Sequence, residues 1–525
     1  MTDNVVRLVQ PSPAAMPSGG LQPHQLQETV FVERVADALR GRFLYTDAMG
    51  WLEWTGQVWV GCSNVPVRDA VRLFIREFSR AAAVDDGKSL DFGELLKRIA
   101  TLNSAAKVNA LTDLARGLLL ADAADFDVDP DVLNCRNGLL NLETLELTPH
   151  DPSMMVTKCT DVDYVPGATS PAWDAALAAL GPDANFRAWY QLRKGQAITG
   201  HVADDDVLTF EWGAGSNGKS TLVGAINAAL GDYFTMVPDK LLLGSPGDHS
   251  TEWMALRGVR YAQVEELPEA RTMDVAKLRK LVGTHRITAR QVYKDNESFP
   301  ATHTLFVNTN FMPVVAETDN GTWRRLCRIA FTARYRTPGD ESRLGPFQPG
   351  DVRADTTVRD RLKRGEGAEA VLAWLVTGAH AWYSIFKRQM PPMPAAVVAS
   401  TDTWRLEQDE VLQIFTELVE AVPPGSTPET PYVTAKDLVA ALRAWRSDRG
   451  YQGVWNERLV ATRFETHPAV TSNGVCAKRL REGQPGYARS VLPGSLGVTG
   501  WASSGPNGPT SSARSMAWLG LRFRA

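Results

Sequence analysis

Apolar positions recur with two different periods along the middle of the chain. Val207–Phe210 is a short apolar-rich run typical of a buried strand, and Leu222–Leu230 repeats apolar residues at helical spacing. Two more strand-like runs, Val259–Val264 and Thr304–Asn310, alternate with helical segments. This alternation predicts an α/β unit with a parallel sheet over residues 170–335.

The chain before this unit has a mixed pattern. A helix is predicted near Val30–Arg40, and alternating apolar runs around turns predict hairpins at Trp51–Val60 and Leu133–Leu142. These elements indicate an α+β domain over residues 28–167. The tryptophans of the first hairpin favour a place in the core over a base-stacking platform. Residues 1–27 are rich in Pro, Ser, Gly and Gln, which predicts a disordered tail.

The chain after the α/β unit is predicted to be helical at first and mixed at its end. Residues 336–422 form the predicted helical extension. Residues 426–525 open with helices at Thr434–Arg449 and Asn456–Thr466 and continue in strand-like segments, the order of a winged-helix-like domain. The basic residues of its first strand-like segment suit contact with DNA phosphates or a solvated face equally well. They are Lys478, Arg479 and Arg481.

Composition narrows the class of protein. The 525 residues carry a net charge of −4, so any contact with a polyanion must come from local basic patches. The five cysteines include no C-x-x-C pair, which argues against a zinc site or a disulfide framework and fits a reducing compartment. There is no apolar run of about 18 residues and no secretory signal. We therefore expect a cytoplasmic protein with no membrane span.

The clearest chemical signal is the loop between the strand Val207–Phe210 and the helix that follows it. The sequence GAGSNGKS at residues 213–220 fits the phosphate-binding pattern G-x-x-x-x-G-K-[ST], in the strand–loop–helix context that the pattern requires. We expect Lys219 to reach the β- and γ-phosphates of ATP and Ser220 to ligate Mg²⁺, with backbone N–H groups and the helix N-terminus facing the anion. The predicted nucleotide-binding residues are Gly213, Gly215, Ser216, Asn217, Gly218, Lys219, Ser220 and Thr221.

Acidic and amide residues follow the next two predicted strands. The first of these strands ends in Glu265 and Glu266, and we expect Glu265 to hold Mg²⁺ through water together with Ser220, while the second carboxylate activates the attacking water. A solvated acidic turn is the alternative. The second strand ends in amides, of which Asn310 is favoured over Asn308 as the residue that orients the water or contacts the γ-phosphate.

Two arginines, Arg324 and Arg325, come directly before the apolar run Leu326–Ile329. An arginine at the edge of a strand can act as an arginine finger that a neighbouring subunit places in trans. Surface salt bridges alone would be an equally good explanation, and the order of the motifs favours the finger.

The segment between Glu266 and Asn310 is basic. Apolar alternation on both sides of residues 293–296 predicts a hairpin with Lys294 near its tip. Lys294 can contact a backbone phosphate, Tyr293 can stack on a base, and Arg290 adds positive charge beside them. A solvated turn is equally compatible with the sequence.

In this order, the motifs resemble those of the superfamily 3 helicases of the AAA+ class. The similarity is strong over about Val207–Phe331, and the nearest group is the phage and plasmid primase-helicase family, whose G-x-x-x-N-G-K-S form Asn217 fits. The segment Phe126–Val165 also resembles the region that precedes the helicase core in that family. The resemblance implies an AAA+ core over residues 170–335, a ring that is hexameric in the family, and translocation on single-stranded DNA.

The resemblance also implies roles for individual residues. It assigns the Walker B role to Glu265 and Glu266, and the sensor 1 role to Asn310. Lys294 corresponds to the DNA-gripping lysine, and Arg325 or Arg324 corresponds to the arginine finger. Gly283-Thr284-His285 stands where the family usually has Gly-Gly-Asp, a departure that leaves the ATPase assignment intact.

Primer synthesis would need clustered carboxylates that bind two metal ions. The acidic residues at 125–129 are predicted to form a turn, and those at 204–206 a solvated loop. We therefore expect an ATP-dependent helicase without intrinsic primer synthesis. The expected partners are single-stranded and forked duplex DNA, further copies of the chain in a ring, and a separate primase or polymerase.

Three other functions stay open at this point. One is a bifunctional primase-helicase, and another is an initiator that ATP orders at an origin without processive unwinding. A third is a small-molecule kinase, against which the long flanking segments and the paired arginines argue.

Overall fold

The computed structural model describes residues 23–84, 92–243, 250–290, 296–315, 317, 319–348, 351–423, 425–448, 456–481, 483–490 and 515–524. Their contacts divide the chain into two compact units. The first contains the residues up to Pro313 together with Arg325–Val397, and the second contains Val314–Arg324 together with the residues from Val398. The domain limits given above stay predictions.

The described helices and strands are numbered in chain order. The helices are α1 (Glu28–Leu39), α2 (Asn64–Val84), α3 (Phe92–Leu102), α4 (Ala105–Leu118), α5 (Pro171–Leu177), α6 (Ala184–Gln196), α7 (Lys219–Leu230), α8 (Val275–Val282), α9 (Asn320–Trp323), α10 (Glu341–Leu344), α11 (Val358–Arg361), α12 (Glu366–Ser384), α13 (Ala395–Gln408), α14 (Glu410–Glu417), α15 (Ala435–Asp448), α16 (Glu457–Thr466) and α17 (Pro468–Thr471). The strands are β1 (Phe43–Thr46), β2 (Gly50–Trp54), β3 (Trp59–Cys62), β4 (Val132–Cys135), β5 (Gly138–Asn141), β6 (Leu147–Thr148), β7 (Leu208–Trp212), β8 (Phe234–Val237), β9 (Tyr261–Glu265), β10 (Arg286–Arg290), β11 (Asn296–Pro300), β12 (Thr304–Thr309), β13 (Leu326–Ala330), β14 (Arg334–Arg336), β15 (Asp351–Arg353), β16 (Val419–Ala421), β17 (Thr430–Thr434), β18 (Cys476–Leu480), β19 (Tyr487–Arg489), β20 (Ser515–Leu519) and β21 (Leu521–Phe523).

The first residues of the described chain pack a small helical core beside a three-stranded sheet. Phe31, Val35 and Leu39 recur on one face of α1 and are buried with residues of α2 and α4. The predicted hairpins are confirmed as β2–β3 and β4–β5. Trp51 and Trp59 are both buried, which confirms the preference for a core position.

The prediction of a disordered tail is wrong for residues 23–26. Pro23–Leu26 forms a turn of 3-10 helix, and Leu26 is buried in the same cluster as Phe31. The burial of this one apolar side chain fixes a segment whose polar composition suggested disorder. The rest of the predicted tail, residues 1–22, lies outside the described residues.

The centre of the first unit is a five-stranded sheet in the order β13-β7-β12-β9-β8. Every neighbouring pair in it is parallel, which confirms the parallel α/β prediction. All residues of β12 are buried, as expected for a parallel strand covered on both faces. Since the strands run in one direction, the segments that follow β7, β9 and β12 meet at the same edge of the sheet, where ligands of α/β proteins bind.

Helices α6 and α12 cross at a backbone-to-backbone contact. A Cβ atom built on Gly195 would lie 2.2 Å from the amide nitrogen of Ala379, and one built on Gly378 would lie 2.3 Å from the carbonyl oxygen of Gln191. Both distances are far shorter than any non-bonded carbon contact, so glycine is required on both helices. This contact holds α6 against α12. In the chain, α6 precedes β7, the first strand of the sheet, and α12 follows β13, its last strand.

His303, directly before β12, couples the stability of the fold to pH. It is 2% exposed, and burial lowers the pKa of its imidazole from the ordinary value of 6.5 to about 4. Between about pH 6.5 and pH 4 the unfolded chain takes up a proton that the folded chain does not, so stability falls as the pH falls through this window. We expect this residue to lower the free energy of unfolding by about 2 kcal/mol at pH 5 relative to pH 7.5.

Urea unfolding at both pH values measures the effect. His303→Leu should remove that part of the pH dependence, whatever it does to stability at neutral pH. An unchanged difference between the two pH values in the variant would contradict the assignment.

The second unit has its own core, in which Val433, Leu442, Phe464 and Trp518 are buried together. Its four-stranded sheet has the order β18-β20-β17-β19, with β20 antiparallel to both of its neighbours. Along the chain its elements from α14 to β18 follow in the order α14, β16, β17, α15, α16, α17 and β18. None of the helices in the described ranges of the chain is both long and apolar enough to span a bilayer.

Candidate active site

The glycine-rich loop leaves β7 at Trp212 and enters α7 at Lys219. Gly215 and Gly218 have φ angles of +96° and +88°, a region that only glycine adopts without strain. Gly213 is required for a different reason, because a Cβ atom there would lie 2.7 Å from the backbone carbonyl oxygen of Phe331 and would also displace the side chain of Asn217. The conformation of the loop therefore depends on two glycines with positive φ angles and on one glycine that neighbouring atoms approach closely.

Lys219 turns back into the loop that precedes it. Its Nζ donates to the carbonyl oxygen of Gly213 at 2.8 Å, to Oδ1 of Asn217 at 3.1 Å and to Oδ1 of Asn310 at 3.3 Å. The residue is only 5% exposed, and burial lowers the pKa of its ammonium group while the Glu211 and Glu266 carboxylates oppose that shift. The ammonium thus lies among oxygen atoms at the carboxyl edge of the sheet.

Asn310 and Glu266 continue this hydrogen-bond chain. Nδ2 of Asn310 donates to Oε1 of Glu266 at 3.1 Å, so one amide joins the lysine to a carboxylate. Glu266 has a φ angle of +55°, a strained conformation for this residue type that functional sites often retain. Its amide nitrogen donates to the carbonyl oxygen of Asn308 at 2.9 Å, which fixes the turn after β9. Glu265, the last residue of β9, is exposed and lies in register with Asn308.

These residues line one cavity of about 1030 Å³. The rest of its wall comes from Ala175, Ala176 and Ala178 and from residues 331–361 without 349 and 350, a segment that we call the strap. Tyr335 of the strap donates its amide to the carbonyl oxygen of Ser216 at 2.7 Å, and the buried Arg336 pairs with Asp351 at 2.7 Å. The cavity-lining residues of the strap include Tyr335, Thr337, Val352, Arg353, Val358 and Arg359. The sequence indicated only a Pro/Gly-rich loop here, since no local pattern shows that Arg336 pairs with a residue 15 positions later.

A buried ionic network supports the strand that carries the loop. Lys194 of α6 and Glu211 of β7 are both buried and pair at 2.9 Å, and the hydroxyl of Tyr190 donates to the same carboxylate at 2.7 Å. Burial lowers the pKa of Lys194 to about 8. The sequence does not indicate that this pair is buried, because a charged residue in a helix with other charges nearby is typical of an exposed position.

One of the two candidate finger arginines, Arg325, lies away from the glycine-rich loop of its own chain. Arg325 directly precedes β13, its carbonyl oxygen accepts from the amide of Leu208 at 2.8 Å, and its side chain lies 3.6 Å from Asp206 with 17% exposed. Leu208 begins β7 and the glycine-rich loop follows its other end, so the length of a five-residue strand and its flanks, about 20 Å, separates Arg325 from Gly213. Arg324 follows α9 and is exposed.

The basic segment forms the predicted hairpin from β10 and β11, in which Arg290 pairs with Asn296. Arg286 and Arg290 are exposed, while Ile287 and Ala289 between them are buried, so one face of β10 is basic. Lys294 and Tyr293 lie outside the described residues, and their roles stay predictions.

The two acidic segments have structural partners. Asp127 lies in the predicted turn, and its carboxylate accepts from the amide of Thr157 at 2.8 Å. The prediction of a solvated loop at residues 204–206 is wrong for Asp205, which pairs with the buried Arg193 at 2.8 Å. Charge pairing with α6 across the chain could not be read from the local sequence. Within the described residues, no group of three or more Asp, Glu, His or Cys side chains is arranged to hold a metal ion.

Two family models match the chain. One, described as "D5 N terminal like", matches residues 31–179. The other, described as a family of unknown function (DUF5906), matches residues 212–325 and so includes the glycine-rich loop and both candidate arginines.

Curated relatives come from large DNA viruses. The candidate primase C962R of African swine fever virus (strain Badajoz 1971 Vero-adapted) is 25% identical over 333 residues, which cover 61% of this chain and 34% of C962R. The candidate helicase 022R of Frog virus 3 is 26% identical over 363 residues, which cover 67% of this chain and 33% of 022R. The chain thus matches about a third of the length of these relatives. Among solved structures, the C-terminal region of NrS-1 (residues 305–718) has a TM-score of 0.42 at 11% identity, covering 81% of each chain.

Proposed function

This chain belongs to the D5-type primase-helicase family of phages and large DNA viruses, and on that premise we propose that it is an ATP-dependent helicase that translocates on single-stranded DNA as a ring. The observation that carries the proposal is the hydrogen-bond chain from Lys219 through Asn310 to Glu266 at the carboxyl edge of a parallel sheet. A phosphate-binding lysine, an amide and a carboxylate in that arrangement suit the hydrolysis of a nucleoside triphosphate.

The residues of the cavity fit ATP and Mg²⁺. The three oxygen atoms around Nζ of Lys219 show that the loop accommodates an ammonium beside oxygen ligands, as bound phosphates require. Nδ2 of Asn217 is buried and, within the described residues, has no hydrogen-bond partner, so a ligand oxygen can satisfy it. Ser220 at the start of α7 and Glu265 at the end of β9 both line the cavity and would hold Mg²⁺. When bound, Mg²⁺ neutralises charge on the phosphate oxygens.

In the proposed mechanism each of these side chains has a separate role. Lys219 leaves its contact with Gly213 and binds the β- and γ-phosphates, and backbone N–H groups of the loop bind the remaining oxygens. Glu266 accepts the proton of the attacking water, and Asn310 orients that carboxylate through the hydrogen bond described above. The strap forms part of the cavity wall, and its residues Tyr335 and Val358 provide an apolar surface for the base.

Assembly into a ring gives Arg324 or Arg325 its proposed role in ATP hydrolysis. Arg325 directly precedes β13, at the end of the sheet opposite the loop, so it does not reach the ATP of its own chain, and Arg324 comes directly before it in the sequence. A neighbouring subunit in a ring can bring such a residue to the γ-phosphate. We further propose that Lys294, Tyr293 and Arg290 contact the DNA strand in the central pore, and that hydrolysis moves them.

The remaining parts of the chain are assigned by the same proposal. The helix and strand order of the second unit suits a winged-helix-like domain, and the exposed Lys478, Arg479 and Arg481 suit contact with DNA or with a partner protein. C962R is named as a primase, but Asp127 and Asp205 have structural partners here. We therefore propose that a separate primase or polymerase makes primers, and that the chain acts in the cytoplasm of a bacterial host.

Strand displacement from a forked duplex, together with native mass, tests this function. We expect ATP-dependent release of the labelled strand, ATPase activity stimulated by single-stranded DNA, and a ring-sized mass in the presence of nucleotide and DNA. Stimulated ATPase activity without strand displacement would favour the ATP-ordered initiator instead. A monomeric mass and an ATPase rate indifferent to DNA would contradict both.

Glu266→Gln should separate ATP binding from hydrolysis. The glutamine can still accept the hydrogen bond from Asn310 but cannot accept a proton, so we expect kcat to fall about 100-fold with the Kd for ATP nearly unchanged. Steady-state ATPase assays and nucleotide titrations measure the two quantities. The matched control is Glu269→Gln, at an exposed glutamate three residues later. Full ATPase activity in Glu266→Gln would remove the residue from the mechanism.

A further inference from the structure

Asn308 is a buried amide in the middle strand of the sheet. It is 3% exposed, lines the nucleotide cavity, and lies in register with Glu211 on β7 and Glu265 on β9. Within the described part of the chain, neither Oδ1 nor Nδ2 of this side chain has a hydrogen-bond partner. A buried amide without partners destabilises the folded protein, so its presence at this position calls for an explanation.

Two nearby amides show what distinguishes Asn308. Asn310 is already bonded through both of its amide atoms, to Lys219 and to Glu266. Gln263 on β9 is as deeply buried as Asn308, but its Nε2 donates to the carbonyl oxygen of Val264 at 3.0 Å, and it does not line the cavity. Of these three amides, Asn308 alone combines a place on the cavity wall with both polar atoms available to a ligand.

We propose that the bound nucleotide completes the hydrogen bonding of Asn308, which makes this residue a further catalytic residue beside Asn310. Nδ2 donates to an oxygen of the γ-phosphate, and Oδ1 accepts from the water that attacks it, since an amide offers a donor and an acceptor at once. The position supports this role, because Asn308 is level with Glu265 and its carbonyl oxygen holds the turn that presents Glu266. The inference rests on the proposed function and adds a residue to its γ-phosphate site.

Asn308→Leu tests the proposal in the full-length chain, because leucine has a similar shape and needs no hydrogen bonds. We expect the Tm of the ligand-free variant to rise by about 1–3 °C, since an unsatisfied amide is removed. The rise in Tm on adding a non-hydrolysable ATP analogue with Mg²⁺ should be smaller than in the wild type, whereas the rise with ADP should be equal. The ATPase kcat should fall about 10- to 100-fold, as expected for the loss of a hydrogen bond to a charged group.

Gln263→Met is the matched control, because it removes a buried amide outside the cavity. It should leave kcat and both nucleotide-dependent shifts unchanged. A ligand-free Asn308→Leu that is less stable than the wild type, or an analogue-dependent shift equal to that of the wild type, would overturn the inference. If the wild type itself shows no shift with the analogue, the proposed function fails; if it shows the shift and Asn308→Leu matches it, only this inference fails.

Discussion

Lys219→Ala should abolish ATP-driven strand displacement and lower ATPase activity about 1000-fold or more, the largest effect expected of any single change in this chain. The ammonium group makes three hydrogen bonds within the loop, and in the proposed mechanism it turns to the phosphate oxygens of the nucleotide. Alanine removes every one of these contacts together with the positive charge of the ammonium group. Displacement of a labelled strand and phosphate release measure the two losses.

The variant should lose function without losing its fold. Burial disfavours the charge of Lys219, so its removal costs little in the free energy of unfolding. The Tm of Lys219→Ala without nucleotide is therefore expected to equal or exceed that of the wild type. Lys363→Ala serves as the matched control, because Lys363 is an exposed lysine two residues beyond the strap that pairs with Asp360. Retention of strand displacement in Lys219→Ala would show that the loop does not power unwinding.

Arg324→Ala should lower kcat about 1000-fold while each chain still binds ATP, because an arginine finger acts on the transition state and not on the bound nucleotide. Of the two candidates, Arg324 is the exposed one, and Arg325 is held near Asp206 and through its carbonyl oxygen to Leu208. Arg325→Ala is therefore expected to reduce activity less than Arg324→Ala. A larger loss in Arg325→Ala would exchange the two roles.

A mixing experiment distinguishes a finger that acts in trans from a local structural role. Lys219→Ala chains keep Arg324, and Arg324→Ala chains keep Lys219, so about a quarter of the interfaces in an equal mixture join an intact loop to an intact finger. We expect such a mixture to regain ATPase activity that neither variant has alone. No recovery, in a mixture shown by native mass to form joint rings, would contradict action in trans.

The parts of the site that depend on adjacent residues could be predicted from the sequence. The glycine spacing and the Lys-Ser pair identify the loop, and the strand ends at Glu265 and Asn310 follow from apolar runs that stop at polar residues. The structure brings those residues together, because parallel strands end at one edge of the sheet. Prediction worked where the signal was local and periodic.

The parts that depend on contacts between distant residues could not be predicted. Nothing beside Asn308 in the sequence shows that its amide lacks partners, and the pairing of Lys194 with Glu211 spans 17 positions and two elements. The strap wall depends on Arg336, which is buried although it is an arginine in a Pro/Gly-rich stretch. In each case the deciding quantity is the burial of a polar side chain, which a sequence pattern assigns to the surface by default.

The contact between Gly195 and Gly378 limits how this chain can diverge. Each glycine faces backbone atoms of the opposite helix, and backbone cannot move aside as a side chain can. A larger residue at either position would force α6 and α12 apart and would displace Lys194 and Gln196 from the interior that they share with β7 and β12. Neither position can therefore accept a larger residue without a shift of a whole helix, even though the two glycines lie 183 positions apart with the glycine-rich loop between them in the chain.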